Sequence, residues 1–323
     1  MTKRTGLFDI NVDFDMKKLI QGEQKSHQNE MTIEKALTTI TKQMQVSGFR
    51  ERTIKDYNLH MNHLCNITSA TYLHEITTEL IYVWLDSMKV SNQTKLIRLK
   101  CLKAILSKCL DNGWIKQKYW KSINIKVDKN VKKGATSNEI QILLSLVDLN
   151  TFIGLRDAVA IITLYKTGIR INTLGQLEER HIDFDNMMLT LDGSILKNHK
   201  MQQLPIDEQM AHLFQVLIIQ NKKIRDNFNQ TNKFIFITQK GKSLNTKSTN
   251  NAISKRLNKY SKDYSLVNIN PHAIRRGYAK NLLNKGANLA LISKALGHSN
   301  LAVTTQYLDL DVEEVVINLR GFL

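Results

Sequence analysis

Residues 271–279 read Pro271-His272-Ala273-Ile274-Arg275-Arg276-Gly277-Tyr278-Ala279, and residues 296–307 read Leu296-Gly297-His298-Ser299-Asn300-Leu301-Ala302-Val303-Thr304-Thr305-Gln306-Tyr307. His272 and Arg275 are three apart, so in a helix they share a face and reach one ligand together. Two more segments hold unusual residue types: Thr167-Gly168-Ile169-Arg170-Ile171 and the lysine-rich turn Leu196-Lys197-Asn198-His199-Lys200. Singly, each has an ordinary explanation. A charge at a helix end, a hydrogen-bonded His, a solvated turn lysine and a core tyrosine are all commonplace. Their combination and order carry the chemistry.

The surroundings of these segments set the fold class. Thr136-Ser137-Asn138-Glu139 has the form of a capping box before an apolar run. A helix is expected over about 155–167, ending at Gly168. Met187, Leu189, Leu191 and then Ile195 alternate as a strand, 203–206 returns as a second, and 234–237 reads as a third short one. Helices fill the rest of a domain at 136–323. Upstream, 121–135 is a basic linker with Lys129, Lys132 and Lys133. Residues 31–120 read as four or five helices. The first, capped by Thr32, places Ile33, Ala36, Leu37, Ile40 and Met44 on one face. Others are expected over about 53–67, 78–88 and 91–112. The last of these carries Lys95, Arg98, Lys100, Lys103 and Lys108 with no acid between Asn92 and Leu110. Residues 1–30 form an arm in which Phe8, Ile10, Val12 and Phe14 alternate with polar residues. The expected fold is mainly α with a small β-sheet, in two domains.

Composition narrows the partner. The chain has 323 residues, 46 Lys+Arg against 29 Asp+Glu, and a net charge of +17. Such a surplus suits a polyanion, because it steers association and neutralises phosphates. Only Pro205 and Pro271 are proline, which favours helix. Cys65, Cys101 and Cys109 are odd in number and lack metal-ligand spacing, so they read as reduced thiols and no metal site is expected. No apolar stretch is long enough to span a membrane, and the first thirty residues lack a signal-peptide core. The expected location is the cytoplasm, on nucleic acid.

From residue 31 onward, and most strongly from Thr136, the chain resembles the tyrosine recombinases: phage and transposon integrases and Xer-type resolvases. Thr167–Arg170 is similar to the family's first arginine box, and His272–Arg275 to its H-x-x-R box. His298 with Tyr307 nine residues on is similar to its nucleophile box. Lys197 lies eight residues before Pro205, where the family's hairpin lysine sits. The resemblance implies a helical core-binding domain joined to an α-rich catalytic domain, the two clamping duplex DNA. It implies assembly as a tetramer on two inverted-repeat sites, a Holliday junction, accessory DNA-bending or directionality proteins, and no cofactor or metal.

The chemistry explains the residue types. Tyr307 attacks a phosphodiester and forms a phosphotyrosyl link. Arg170 and Arg275 bind the non-bridging oxygens with planar forks that lysine cannot imitate. His272 and His298 donate hydrogen bonds to the same group or take the phenol proton. Lys197 protonates the leaving 5′ oxygen, with Lys200 the rival. DNA contacts are expected at Lys95, Arg98, Lys103, Lys129, Lys132 and Lys133. Two positions depart from the family: Thr173 stands where an acid is frequent, and Arg276 where His is usual. The rival readings are a DNA-binding regulator without catalysis and a type IB topoisomerase. The tail at 308–323 is net −3, with Val312, Val315, Val316 and Leu319 at helical spacing. It is expected to dock on a neighbouring protomer.

Overall fold

The computed structural model describes residues 31–128, 132–244, 252–298, 300–308 and 320, with Gln306 and Tyr307 given by their place in a helix only. The expectations for the arm at 1–30 and for the acidic stripe at 312–319 fall outside the described residues. The chain divides into two units, Met1–Lys129 and Asn130–Leu323.

In the first unit Thr32 opens helix α1 (Ile33–Val46), its hydroxyl accepting the Lys35 N–H at 3.2 Å. The five positions expected on one face are the five that are buried. Helices α2 (Glu51–Thr68), α3 (Thr78–Asp86) and α4 (Asn92–Asp111) pack with α1 around Trp84 and Trp120, both fully buried. The Trp84 indole donates to His63 Nδ1 at 2.8 Å, which satisfies its buried N–H. Each fully buried Leu or Ile here stabilises by about 1.5–3 kcal/mol.

The basic face of α4 needs one correction. Lys103, expected at the DNA, turns inward. Its ammonium donates to the Ile123 carbonyl at 2.5 Å, and burial lowers its proton affinity. A lysine committed to a backbone carbonyl ties α4 to the following segment rather than to a phosphate.

In the second unit the capping box of α5 (Ser137–Ser145) is formed in both directions: Thr136 N–H donates to Glu139 Oε2 at 2.7 Å, and Glu139 N–H to Thr136 Oγ1 at 3.2 Å. Helix α6 (Phe152–Thr167) starts three residues before the expected 155, because Thr151 caps it through the Gly154 N–H. Buried on most of its circumference, α6 is the central helix of this core. After Gly168 comes the single turn α7 (Ile171–Leu174).

Strands β1 (Ile182–Asp183), β2 (Met188–Leu191) and β3 (Gln202–Pro205) form an antiparallel sheet in the order β1-β2-β3, with Leu189 opposite Leu204 and Leu191 opposite Gln202. β1 is two residues long, too short for alternation to announce it. The strand expected at 234–237 is not a ladder. Phe234 and Ile237 make isolated bridges to Glu178 and Ser243, while Ile235, Phe236 and Ile237 are fully buried, so this apolar run plugs the core. Helices α8 (Glu208–Asn227), α9 (Ala252–Asp263), α10 (Pro271–Asn284), α11 (Leu289–Ala295) and α12 (Leu301–Leu308) complete the unit. Among the described residues no helix is long and apolar enough to cross a membrane.

Candidate active site

Arg275 is the hub. It sits in α10, whose start is set by Asn270 accepting the Ala273 N–H at 2.9 Å and by Pro271 in the first turn. Its side chain is 3% exposed. One terminal nitrogen donates to the Gly168 carbonyl, and the other to the Leu296 carbonyl and, at 3.2 Å, to His298 Nε2. A single guanidinium thus joins the turn before Arg170, the end of α11 and the imidazole of His298.

These contacts fix the His298 tautomer. A guanidinium only donates, so Nε2 accepts and the ring proton is on Nδ1. Nδ1 then donates to Thr304 Oγ1 at 3.0 Å. Thr304 is fully buried in α12, one turn before Tyr307. The line Arg275–His298–Thr304 ties the second arginine to the helix that carries Tyr307.

Gly168 adopts φ +61°, and the Tyr278 ring lies against it. A Cβ there would stand 2.2 Å from Tyr278 Cδ1, so only glycine lets the chain turn into Arg170 over that ring. Arg170 follows as the residue before α7 and is half-buried. Tyr278 is 9% exposed, and burial raises its phenol pKa. It is a packing residue of this wall.

His272 lies on the first turn of α10 and keeps an exposed edge. Loss of hydration lowers its pKa first, followed by the charges of Arg276, Arg275, Arg170 and Lys132. His298 is held down to about 4, by burial first and then by Arg275 and Arg170. Both arginines therefore act on both imidazoles, which places the four residues in one field. The sign for stability follows. Unfolded, His298 takes a proton near 6.5, but folded only near 4. Between those values the unfolded chain binds more protons, so His298 destabilises the fold progressively as pH falls from 6.5 to 4 and has no effect above that window. His298→Gln is expected to flatten the decline of Tm across it, measured by thermal denaturation at several pH values. A decline with the same slope in that variant would contradict the assignment.

Lys197 is exposed on the loop joining β2 to β3, as is Lys200. Several side chains anchor that loop. Thr173, 2% exposed, donates to the Ile195 carbonyl at 3.2 Å, so the position lacking the family's acid holds the lysine loop by a hydroxyl. Asp192 accepts from Ser194 and Arg180 and pairs with the buried His181, and these contacts hold its carboxyl far below the usual range. Asn198 donates to the Gly297 carbonyl at 3.3 Å, and Gln202 to the carbonyls of Lys294 and Ala295 at the end of α11. The loop is thereby fastened to the turn that carries His298. Asn198 lies within the lysine turn and Gln202 just after it, but nothing local announces partners more than ninety residues away.

Of the remaining expected contacts, Lys95 and Arg98 are half-buried on α4, with Arg98 lowering the pKa of His60 after burial has done so. Lys132 and Lys133 are exposed, and Lys129 lies outside the described residues. Among the described residues no three His, Cys, Asp or Glu gather as a metal site.

Residues 134–314 match the phage integrase family. The chain is 28% identical over 212 residues to a tyrosine recombinase XerC of Chlamydia caviae, covering 65% of each chain. It is 25% identical over 271 residues to one of Haemophilus influenzae, covering 81% of this chain and 88% of that one. The chain thus spans just under two thirds of the first relative's length. In fold it is similar to the Tn1549 transposon integrase in complex with transposon right end DNA, with TM-score 0.68 and 19% identity over 88% of this chain and 98% of that one. It is also similar to a lambda integrase in a tetramer bound to a Holliday junction, with TM-score 0.66 and 15% identity over 91% of this chain and 81% of that one. The matched stretch includes Arg170, Lys197, His272, Arg275, His298 and Tyr307, and the chain belongs to the phage integrase family of tyrosine recombinases.

Proposed function

We propose that the chain is a site-specific DNA recombinase of a mobile element, an integrase or transposase that cuts and rejoins duplex DNA through a 3′-phosphotyrosine. The observation that carries this reading is the Arg275–His298–Thr304 line, which ties the phosphate-binding arginine to the helix of Tyr307. The Tyr307 oxygen attacks phosphorus, the bond to the 5′ oxygen breaks, and the phenol proton passes to one of the neutral imidazoles. Arg170 and Arg275 take up the charge that grows on the non-bridging oxygens. The leaving oxygen receives its proton from Lys197. Because the ester energy stays in the phosphotyrosine, a 5′ hydroxyl from another strand reverses the reaction without ATP. The likeness to transposon and lambda integrases supports a mobile-element role and assembly as a tetramer on paired sites. In this reading the acidic tail joins neighbouring protomers.

The test is incubation with nicked suicide duplex DNA, in which the strand 5′ of the nick diffuses away and traps the adduct. A covalent protein–DNA band on a denaturing gel is expected, and its absence with tight binding would favour a non-catalytic regulator. Lys197→Ala is expected to slow adduct formation by about 10²–10⁴-fold, the range for a lost general acid. A 5′-phosphorothiolate, whose sulfur leaves unprotonated, should restore most of that rate. Rescue seen with Lys200→Ala and not with Lys197→Ala would exchange the two roles.

A further inference from the structure

Two exposed helix faces of the first unit mirror each other. Helix α3 buries Ile81, Trp84 and Leu85 and turns Glu79, Tyr82, Val83 and Asp86 outward. These four are spaced i, i+3, i+4 and i+7, so they form one stripe with an acid at each end and apolar surface between. Tyr82 is 47% and Val83 58% exposed. Helix α1 carries Lys35, Thr38, Thr39 and Lys42 at the same spacing, with both lysines exposed. The two acids, like the two lysines, are seven residues apart, about 10.5 Å along a helix, so the stripes match end to end. Ion pairs of this unit such as Arg52–Asp56 and Lys55–Glu51 lie within α2, and among the described residues none engages Lys35, Lys42 or Asp86.

Beside the α1 stripe runs a groove of about 660 Å³. Thr38 and Lys42 line it from α1 and Asn58 and Asn62 from α2, with Ile33 and Leu37 as its apolar part. Such a lining suits a tyrosine, whose ring takes the apolar part and whose hydroxyl takes the amides. Glu34 is the one acid among the lining residues, against the two lysines of the stripe. An acidic stripe is repelled by phosphates, and its charge complement in this chain is the α1 stripe. Both stripes face outward, so they meet between copies. We propose that the α3 stripe of one copy docks on the α1 stripe and groove of the next, with Tyr82 in the groove and Glu79 and Asp86 on Lys35 and Lys42. Two different faces meet, so the contact runs head to tail and can close a ring of copies. The inference deepens the proposed assembly and rests on it for the DNA that gathers the copies. A four-residue stripe falls short of the roughly 800 Å² per partner of a stable complex, so the contact acts where DNA raises the local concentration.

Charge exchange tests this on the full chain. One variant carries Lys35→Glu and Lys42→Glu, the other Glu79→Lys and Asp86→Lys. The probe is long duplex DNA of arbitrary sequence at low salt, which a basic chain binds through phosphates. Cooperativity along that duplex is expected to fall about tenfold in each variant alone, where attraction has become repulsion. An equal mixture of the two should recover it, since each reversed face then meets a reversed partner. Neither lost affinity for DNA nor a folding defect can produce that recovery. A mixture that stays impaired would overturn the contact. So would parent-like cooperativity in either variant, the result expected if residues 1–30 of the same chain cover the groove. A second measurement needs no DNA. In concentrated protein, Thr38→Cys mixed with Val83→Cys is expected to give a disulfide between positions 38 and 83 of different chains, read by mass spectrometry. Its absence, or a dimer formed by Val83→Cys alone, would overturn the head-to-tail placement. A parent chain that forms no covalent adduct would overturn the recombinase reading instead, and both measurements would still decide this contact, because neither reads cleavage.

Discussion

Tyr307→Phe is expected to bind duplex DNA as the parent chain does and to form no covalent adduct with suicide DNA. The substitution removes one oxygen and keeps the ring, so the α12 backbone and its tie through Thr304 and His298 to Arg275 are preserved. Arg170, Arg275 and the linker lysines are also untouched, which is why affinity should hold. What is lost is the only atom that can bond to phosphorus in the proposed step. Loss of a covalent nucleophile costs on the order of a millionfold in rate, well below detection on a denaturing gel. A band surviving in Tyr307→Phe would place the nucleophile elsewhere. Tyr278 is the tyrosine nearest to hand in sequence to His272 and Arg275, but its ring is packed on Gly168, and burial raises its pKa. Tyr278→Phe is therefore expected to retain adduct formation.

The local features of this chain were legible in the sequence, and the long-range ones were not. The caps at Thr32 and Thr136, the five-residue stripe of α1 and the pairing of the two longer strands are encoded within a few residues of where they act. The candidate site residues could be singled out because the boxes of the resemblance have a set order and spacing. Their support was invisible for a physical reason. Arg275 reaches Gly168 across 107 positions, and Asn198 reaches Gly297 across 99. No periodicity links such pairs. Lys103 shows the opposite failure. On a helix wheel it belongs to an acid-free basic face, but the chain beyond α4 folds back to offer the Ile123 carbonyl, and a local pattern cannot anticipate that. The apolar run at 235–237 misled in the same way, since a short buried run reads as a strand whether or not a partner lies beside it.

Replacing the hub separates its two roles. Arg275 binds phosphate oxygens in the proposed transition state, and in the free protein it also holds three segments together: the Gly168 turn, the end of α11 and His298. Arg275→Lys keeps the charge but offers one ammonium on a shorter reach, so it cannot span these acceptors at once. Cleavage is expected to fall by about 10²–10³-fold, the range for one lost transition-state donor. Stability should fall too, because buried carbonyls lose charge-assisted bonds. One such bond is worth about 2 kcal/mol, or roughly 4–8 °C of Tm in a unit of this size. Arg170→Lys is the control. Arg170 is half-buried at the start of α7, whereas Arg275 is 3% exposed. Arg170→Lys should lose cleavage on a similar scale with a much smaller loss of Tm. Single-turnover cleavage and thermal denaturation of the two variants side by side make the comparison. If Arg275→Lys melted with the parent chain, the hub would be a phosphate ligand alone, and the placement of His298 and the Tyr307 helix would have to come from other contacts.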